Sequence, residues 1–271
     1  MVRAAVMAGQ FYPLAANSLE REVSELCVGV KTKKEAIGLL LPHAGYMYSG
    51  RVAGLTASTV NLKDIFVIIG PNHTGIGEPF SLDIEEVWQT PLGKIEINSA
   101  LAEELLKKCP SLKKDTQAHR YEHSVEVELP FLQYLKSDKN FSFVPIVIGG
   151  GKLEIYKEIG KGISEAIKEL KLIDQVQIIA SSDMTHYEEA KVAQEKDALA
   201  ISALLKLDPD LLYKTVKEKD ISMCGYIPAI IMLEAARNLG AKKAELIKYE
   251  NSGDTTGDYS SVVGYAGAII S

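Results

Sequence analysis

Cysteine is scarce in this chain: Cys27, Cys109 and Cys224 are the only ones. An odd, scattered set of thiols makes no disulfide framework, which points to a reducing compartment and a cytoplasmic location. No stretch approaches the roughly 18 consecutive apolar residues of a membrane span. The opening segment lacks the long apolar run of a secretory signal, so no membrane partner is expected. A surplus of positive charge is also missing. The 30 basic residues are outnumbered by 36 acidic ones, for a formal net charge of −6, whereas a dedicated nucleic-acid binder shows a basic face. Phosphate-cradling loops are absent too: Gly149, Gly150 and Gly151 follow an apolar run without G-x-G-x-x-G spacing, and no Walker A pattern occurs. Apolar material, by contrast, is plentiful. Hydrophobic residues make up 46% and charged residues 24% of the 271 positions, enough for a large core in one folded domain over residues 1–271.

That material is laid out in alternating helix-like and strand-like segments. Leu19, Val23, Leu26, Cys27 and Val30 recur at helical spacing after Asn17. Ala36–Leu41, Asp64–Gly70, Phe141–Ile148 and Val176–Ala180 contain short, continuously apolar runs, the pattern of strands covered on both faces. Leu82–Val87 and Lys94–Ile97 are expected to be strands flanking a turn at Thr90–Gly93. Further helices are expected over the small residues of Arg51–Val60 and over Ala100–Lys108, Glu154–Leu170, Ala190–Leu205 and Ala229–Leu239. Leu246–Tyr249 and Val262–Ile270 read as closing strands, and the polar cluster Asn251–Asp258 as a connecting loop. This alternation predicts an α/β fold with a mixed or largely parallel central sheet flanked by helices. Sheets of that kind place their chemistry beyond the carboxyl ends of the strands.

Histidine is rare enough for its positions to be informative. Of five histidines, His43, His73 and His186 each follow a buried-strand run. A single histidine in such a loop is ordinarily a hydrogen-bonded structural residue. Three in the same topological place, on parallel strands, would open on one edge of the sheet and could converge on a metal ion or a polarised substrate. The other two lie in His119–Arg120–Tyr121–Glu122–His123, which matches the H-x-x-E-H pattern of inverted zinc proteases. That chemistry needs a continuous helix, and this segment follows a polar stretch and soon meets Pro130. The milder expectation is that His123 lines the same pocket as the other three. Among the thiols, Cys27 lies on an apolar helical stripe and Cys109 at a helix end. Cys224 lies just ahead of a helix, where the free N–H groups favour a thiolate and so a ligand or a nucleophile; the plainer alternative is a buried, inert thiol.

Taken in order, several motifs resemble those of the Memo family. They are Ala8–Gly9–Gln10–Phe11–Tyr12–Pro13, Pro42–His43–Ala44–Gly45–Tyr46 with Ser49–Gly50, and Gly70–Pro71–Asn72–His73. Glu122–His123–Ser124 through Leu132 follows, then Ser181–Ser182–Asp183 with His186, Cys224–Gly225, and Asn251–Ser252–Gly253–Asp254 through Tyr265. The resemblance implies a fold similar to the class III extradiol dioxygenases, in which two histidines and a glutamate hold iron and a further histidine is the acid/base. On this correspondence His43 and His73 are metal ligands, Cys224 stands where the glutamate would be, His186 is the acid/base and Asp183 is a nearby polar group or additional ligand. A soft thiolate in place of a hard carboxylate broadens the metal choice to iron, copper or zinc, and ring-cleavage activity does not carry over. The resemblance also implies redox chemistry on an unknown substrate, or a binding module for a small molecule or peptide. In prokaryotes it implies a pathway link to a radical-SAM protein.

Overall fold

The computed structural model describes residues 2–30, 32–84, 87–137 and 140–271. At its centre the strands Ser142–Ile148, Ile65–Pro71, Val176–Ser181 and Gly38–Leu41 lie side by side, all parallel, with Ile68 opposite both Pro145 and Ile179, and Leu40 opposite Ala180. Every residue of Ile65–Pro71, Val176–Ser181 and Gly38–Leu41 is buried. Burial on both faces is why these strands are largely apolar rather than alternating, with buried Gln177 donating its amide to the Ala36 carbonyl. The two-residue period survives inside the core. Val67, Ile69, Val144, Ile146 and Ile178 pack on one side of the sheet, while Phe66, Ile68, Phe143, Val147 and Ile179 pack on the other.

Further strands, antiparallel at one end and parallel at the other, extend this core. Val262–Ile270 runs beside Gly38–Leu41, with Ala244–Asn251 beyond it. At the far end Gly93–Ile97 pairs in parallel with Ser142–Ile148 and forms a hairpin with Val87–Thr90. The result is one mixed, largely parallel sheet flanked by helices, as the alternation predicted. The expected strand at Leu82–Val87 divides: Phe80–Leu82 pairs antiparallel with Ser142–Ile148, the hairpin strand starts at Val87, and residues 85 and 86 lie outside the described residues. Among the described residues no helix is long and apolar enough to cross a membrane.

The helices follow their sequence signals closely. Ala16–Leu26 buries Leu19 and Val23. Ser99–Lys108 begins at Asn98, whose side chain accepts the Leu101 N–H at 3.0 Å. The small-residue helix Arg51–Ser58 approaches Ala16–Leu26 so closely that a Cβ at residue 54 would stand 2.6 Å from the Leu26 carbonyl oxygen. The Asn251–Asp258 cluster contains one short helical turn, Gly253–Thr256.

The segment carrying the H-x-x-E-H match is not a helix. Turns occupy it until Glu126–Glu128 forms a single 3-10 turn leading into the helix Leu129–Leu135, so His119 and His123 share no helical face and the inverted-protease arrangement is excluded. His119 instead lies fully buried, edge-on to Trp88 at 5.9 Å. Neither of its ring nitrogens finds a hydrogen-bond partner among the described residues. Burial, with the Arg3 charge, lowers its pKa to about 3, against weaker pulls from Asp115 and the Ser81 backbone.

Two predictions follow from this packing. Gly54→Ala forces the new methyl into the Leu26 backbone and lowers the unfolding free energy by about 1–3 kcal/mol in urea titrations; an unchanged midpoint would refute the close contact. For His119, the unfolded chain takes up a proton near pH 6.5 that the folded chain refuses until about pH 3. Stability from this residue is therefore complete above pH 6.5 and declines as pH falls. Between pH 7 and pH 4 the wild type should lose on the order of 3 kcal/mol more than His119→Leu, and parallel losses would show that His119 is not buried neutral.

Candidate metal centre

Parallel pairing brings the chain immediately after Gly38–Leu41, Ile65–Pro71 and Val176–Ser181 to the same edge of the sheet. His43, His73 and Asp183 sit there, on the wall of a cleft of about 680 Å³ that also takes in His123 and His186. All four histidines expected to share a pocket do so. The tightest group is His43, His73 and His123, whose donor atoms lie within 4.8 Å of one another. The His73 and His123 rings stack at 4.5 Å, and the His43 ring meets both edge-on at 5.2 and 5.4 Å.

Each ring is held by what lies behind it. His43 is buried, and its backbone N–H donates to Asp183 Oδ1 at 2.9 Å. Its Nδ1 is 2.8 Å from the Ser181 hydroxyl. The buried Glu122 carboxylate collects the His73 side chain through Nδ1 at 2.9 Å, together with the backbone N–H groups of His73, His123 and Ser124. Burial alone would raise the Glu122 pKa, but hydrogen bonding and charge from His73, with help from His123, outweigh it and hold the group at about 2. With Nδ1–H given to Ser181 or Glu122, the lone pairs of His43 and His73 are left on Nε2. This is the tautomer a metal-binding histidine needs, fixed by an outer hydrogen bond. Burial, followed by the neighbouring imidazoles, pushes His43 well below its ordinary pKa, and burial lowers His123 to about 4. Both rings are neutral at pH 7.

Cys224 stands immediately before the helix Tyr226–Asn238, with its Sγ 3.4 Å from His43 Nε2 and 3.3 Å from the Asp183 N–H. It completes no three-residue donor group among the described residues. The sequence pointed to a thiolate favoured by the helix terminus. In the fold, burial first and the Asp183 carboxylate second raise the thiol pKa well above its ordinary value, so a neighbouring cation is needed to deprotonate it at neutral pH. Asp183 is itself raised to about 6 by burial. His186 stands apart from the trio: its backbone N–H donates to the Ser222 hydroxyl at 2.8 Å, and its Nδ1 lies 3.0 Å from the Ser222 carbonyl.

The opening motif supplies the opposite wall of the cleft. Phe11 packs edge-on to His123 at 5.0 Å. Buried Glu126 anchors this segment by accepting the Val6 and Met7 N–H groups, the Tyr12 hydroxyl at 2.6 Å and Arg3 Nη1 at 2.8 Å. Arg3 spends its remaining reach on the His119 and Glu122 carbonyls and lies 3.8 Å over the Trp88 ring. Sequence reasoning gave Ser181, Glu126 and Phe11 no role of their own in the site and weighed Glu122 singly only as a protease-like acid. The available signals were their places in the family-like motifs and the run of acids in Glu122–Glu128.

The chain matches the family model described as Memo-like protein over residues 3–269. A MEMO1 family protein of Methanosarcina acetivorans is 43% identical over 270 residues, covering 99% of each chain. A MEMO1 family protein of Aquifex aeolicus is 42% identical with the same coverage. Among solved structures, the uncharacterized protein JW3007 from Escherichia coli K12 shares the fold with a TM-score of 0.60 at 15% identity, over 86% of this chain and 98% of that one. With a match running nearly end to end and full-length relatives at this identity, the chain belongs to the Memo family.

Proposed function

We propose that the histidine cluster is a transition-metal centre and that the protein is a metal-dependent oxidoreductase acting on a small molecule in the cleft. The observation that carries this reading is the trio of imidazoles with donor atoms within 4.8 Å, two of them held from behind through Nδ1. His43 and His73 are the proposed ligands, with Cys224 completing the set and His123 a further donor in reach. A nitrogen and a sulfur bound to one ion at about 2.1 and 2.3 Å would be about 3.6 Å apart, close to the 3.4 Å between His43 Nε2 and Cys224 Sγ. Imidazole with thiolate suits iron or copper, and also redox-inert zinc. When bound, such an ion would polarise a ligand and, if iron or copper, exchange electrons with it.

The chain's own residues would handle the protons. His186, with Nδ1 at the Ser222 carbonyl, offers Nε2 as an acceptor at the cleft wall. Asp183 fixes the His43 backbone and presents a second titratable group beside it. A pathway partnership with a radical-SAM protein, implied by the family resemblance, belongs to the same proposal.

Elemental analysis of protein purified without affinity-tag metals is the direct test. Near-stoichiometric iron or copper is expected in the wild type and its loss in His43→Ala, His73→Ala and Cys224→Ser. A Cys224→Ala variant of undiminished affinity would remove the thiolate from the ligand set. A wild type that refuses iron, copper and zinc alike would sink the metal reading and leave a metal-free ligand-binding module. Glu122→Gln removes the charge behind His73 and should weaken metal binding by about 10- to 100-fold in competition with a chromophoric chelator; unchanged affinity would count against the carboxylate–histidine support.

A further inference from the structure

Among the described residues, four besides glycines have positive φ: Lys171, Tyr187, Leu207 and Asp220. Lys171, Leu207 and Asp220 each lie just past the end of a helix, at the position where a left-handed residue routinely closes the last turn. Tyr187, at φ 60°, has no such reason. It lies in the short strand His186–Glu188, where His186 pairs with Val263 and Glu188 with the adjacent Val262, leaving Tyr187 as the extra residue of a β-bulge. A left-handed bulge residue is normally glycine, and a bulky side chain there costs backbone energy. Packing does not recover that cost, because Tyr187 is 79% exposed. Its hydroxyl makes no hydrogen bond among the described residues. Bulges beside functional sites characteristically re-aim a side chain, and this one sets the phenol ring on the wall of the cleft, 5.7 Å from the His186 ring. Phe11, Met47, Tyr48 and Tyr265 line the same cleft, with the imidazoles at its polar end.

We propose that Tyr187 is the ligand-recognition residue of this cleft and stacks on a flat aromatic ring whose polar substituent lies toward His186 and the histidine cluster. The inference uses the same cleft as the proposed metal centre but does not require the ion. A strained, exposed aromatic residue at the wall of a cleft sized for a small molecule is explained by a ligand that covers it.

Binding of 2-naphthol, followed by its own fluorescence, tests the idea against displacement by its saturated counterpart, decahydro-2-naphthol. Tyr187→Ala should weaken 2-naphthol by about five- to tenfold, Tyr187→Phe should retain it within about twofold, and the saturated alcohol should be unaffected to the same tolerance. Equal losses for both alcohols, no loss of 2-naphthol, or a wild type that binds neither would each overturn the proposal. Tyr187→Gly should melt about 3 °C above Tyr187→Ala, since both remove the ring and only glycine relieves the left-handed backbone; equal melting temperatures would remove the strain from the argument. Metal uptake by the wild type is read separately. Tyr187-dependent naphthol binding by a protein that takes up no metal would end the metal reading and leave this one standing, and metal uptake with Tyr187-independent binding would do the reverse.

Discussion

Parallel pairing of Gly38–Leu41 with Val176–Ser181, and of Val176–Ser181 with Ile65–Pro71, is the constraint on which the site depends. Three strands that run the same way deliver their following loops to one edge, and their burial on both faces fixes the register by which His43, His73 and Asp183 arrive together. A one-residue slip in any of them would exchange the two faces of the core and carry the attached loop with it. The chemistry of the cleft is therefore tied to the most rigid part of the molecule, which suits a centre that must hold several donors at close separation.

Behind that edge, one short segment supplies three buried acids with three different fates. Glu122 is an anion held by His73 and His123 and their backbone. Glu126 pairs with Arg3, and it pins the N-terminal wall of the cleft. Glu128 finds no cation among the described residues, and burial raises its pKa well above the ordinary carboxyl range. Its neighbour Ser181 has one hydroxyl proton for two acceptors, the Ser124 carbonyl at 2.6 Å and Glu128 Oε1 at 2.8 Å, while also meeting His43 Nδ1. A protonated Glu128 donating to Ser181 satisfies that count, leaving Ser181 free to donate to Ser124 and accept from His43. Glu128, through Ser181, and Glu122 thus each act on an imidazole from behind, the one on His43 Nδ1 and the other on His73 Nδ1.

Much of this was legible in the sequence. Short apolar runs announced the central strands because burial on both faces leaves no room for polar alternation, and the placement of His43, His73 and His186 after such runs announced a shared edge. Other elements were not legible. The helix Pro209–Glu218, capped by Asp208, was passed over although its proline sits in the first turn, where it is well tolerated. The helix Tyr226–Asn238 begins three residues ahead of its apparent start, with Pro228 inside its first turn. In both cases a proline stands in the first turn of the helix. His123 ranked behind Cys224 as a metal donor in the sequence, yet it stacks directly on His73, because the turn around Glu122 carries it there.

The sequence by itself determined the class of fold, the absence of disulfides and phosphate loops, the strand-to-loop positions of the key histidines and, through its ordered motifs, the family. These are properties of composition, periodicity and order, which local preferences and burial express directly. Tertiary structure alone decided which imidazoles share donors, which of three neighbouring glutamates loses its charge, how far the Cys224 thiol is from ionising, and that Tyr187 stands in a bulge at the cleft. Those outcomes depend on desolvation and on contacts between residues more than a hundred positions apart, such as Arg3 with Glu126 and His43 with Asp183. No local pattern encodes a distance of that kind.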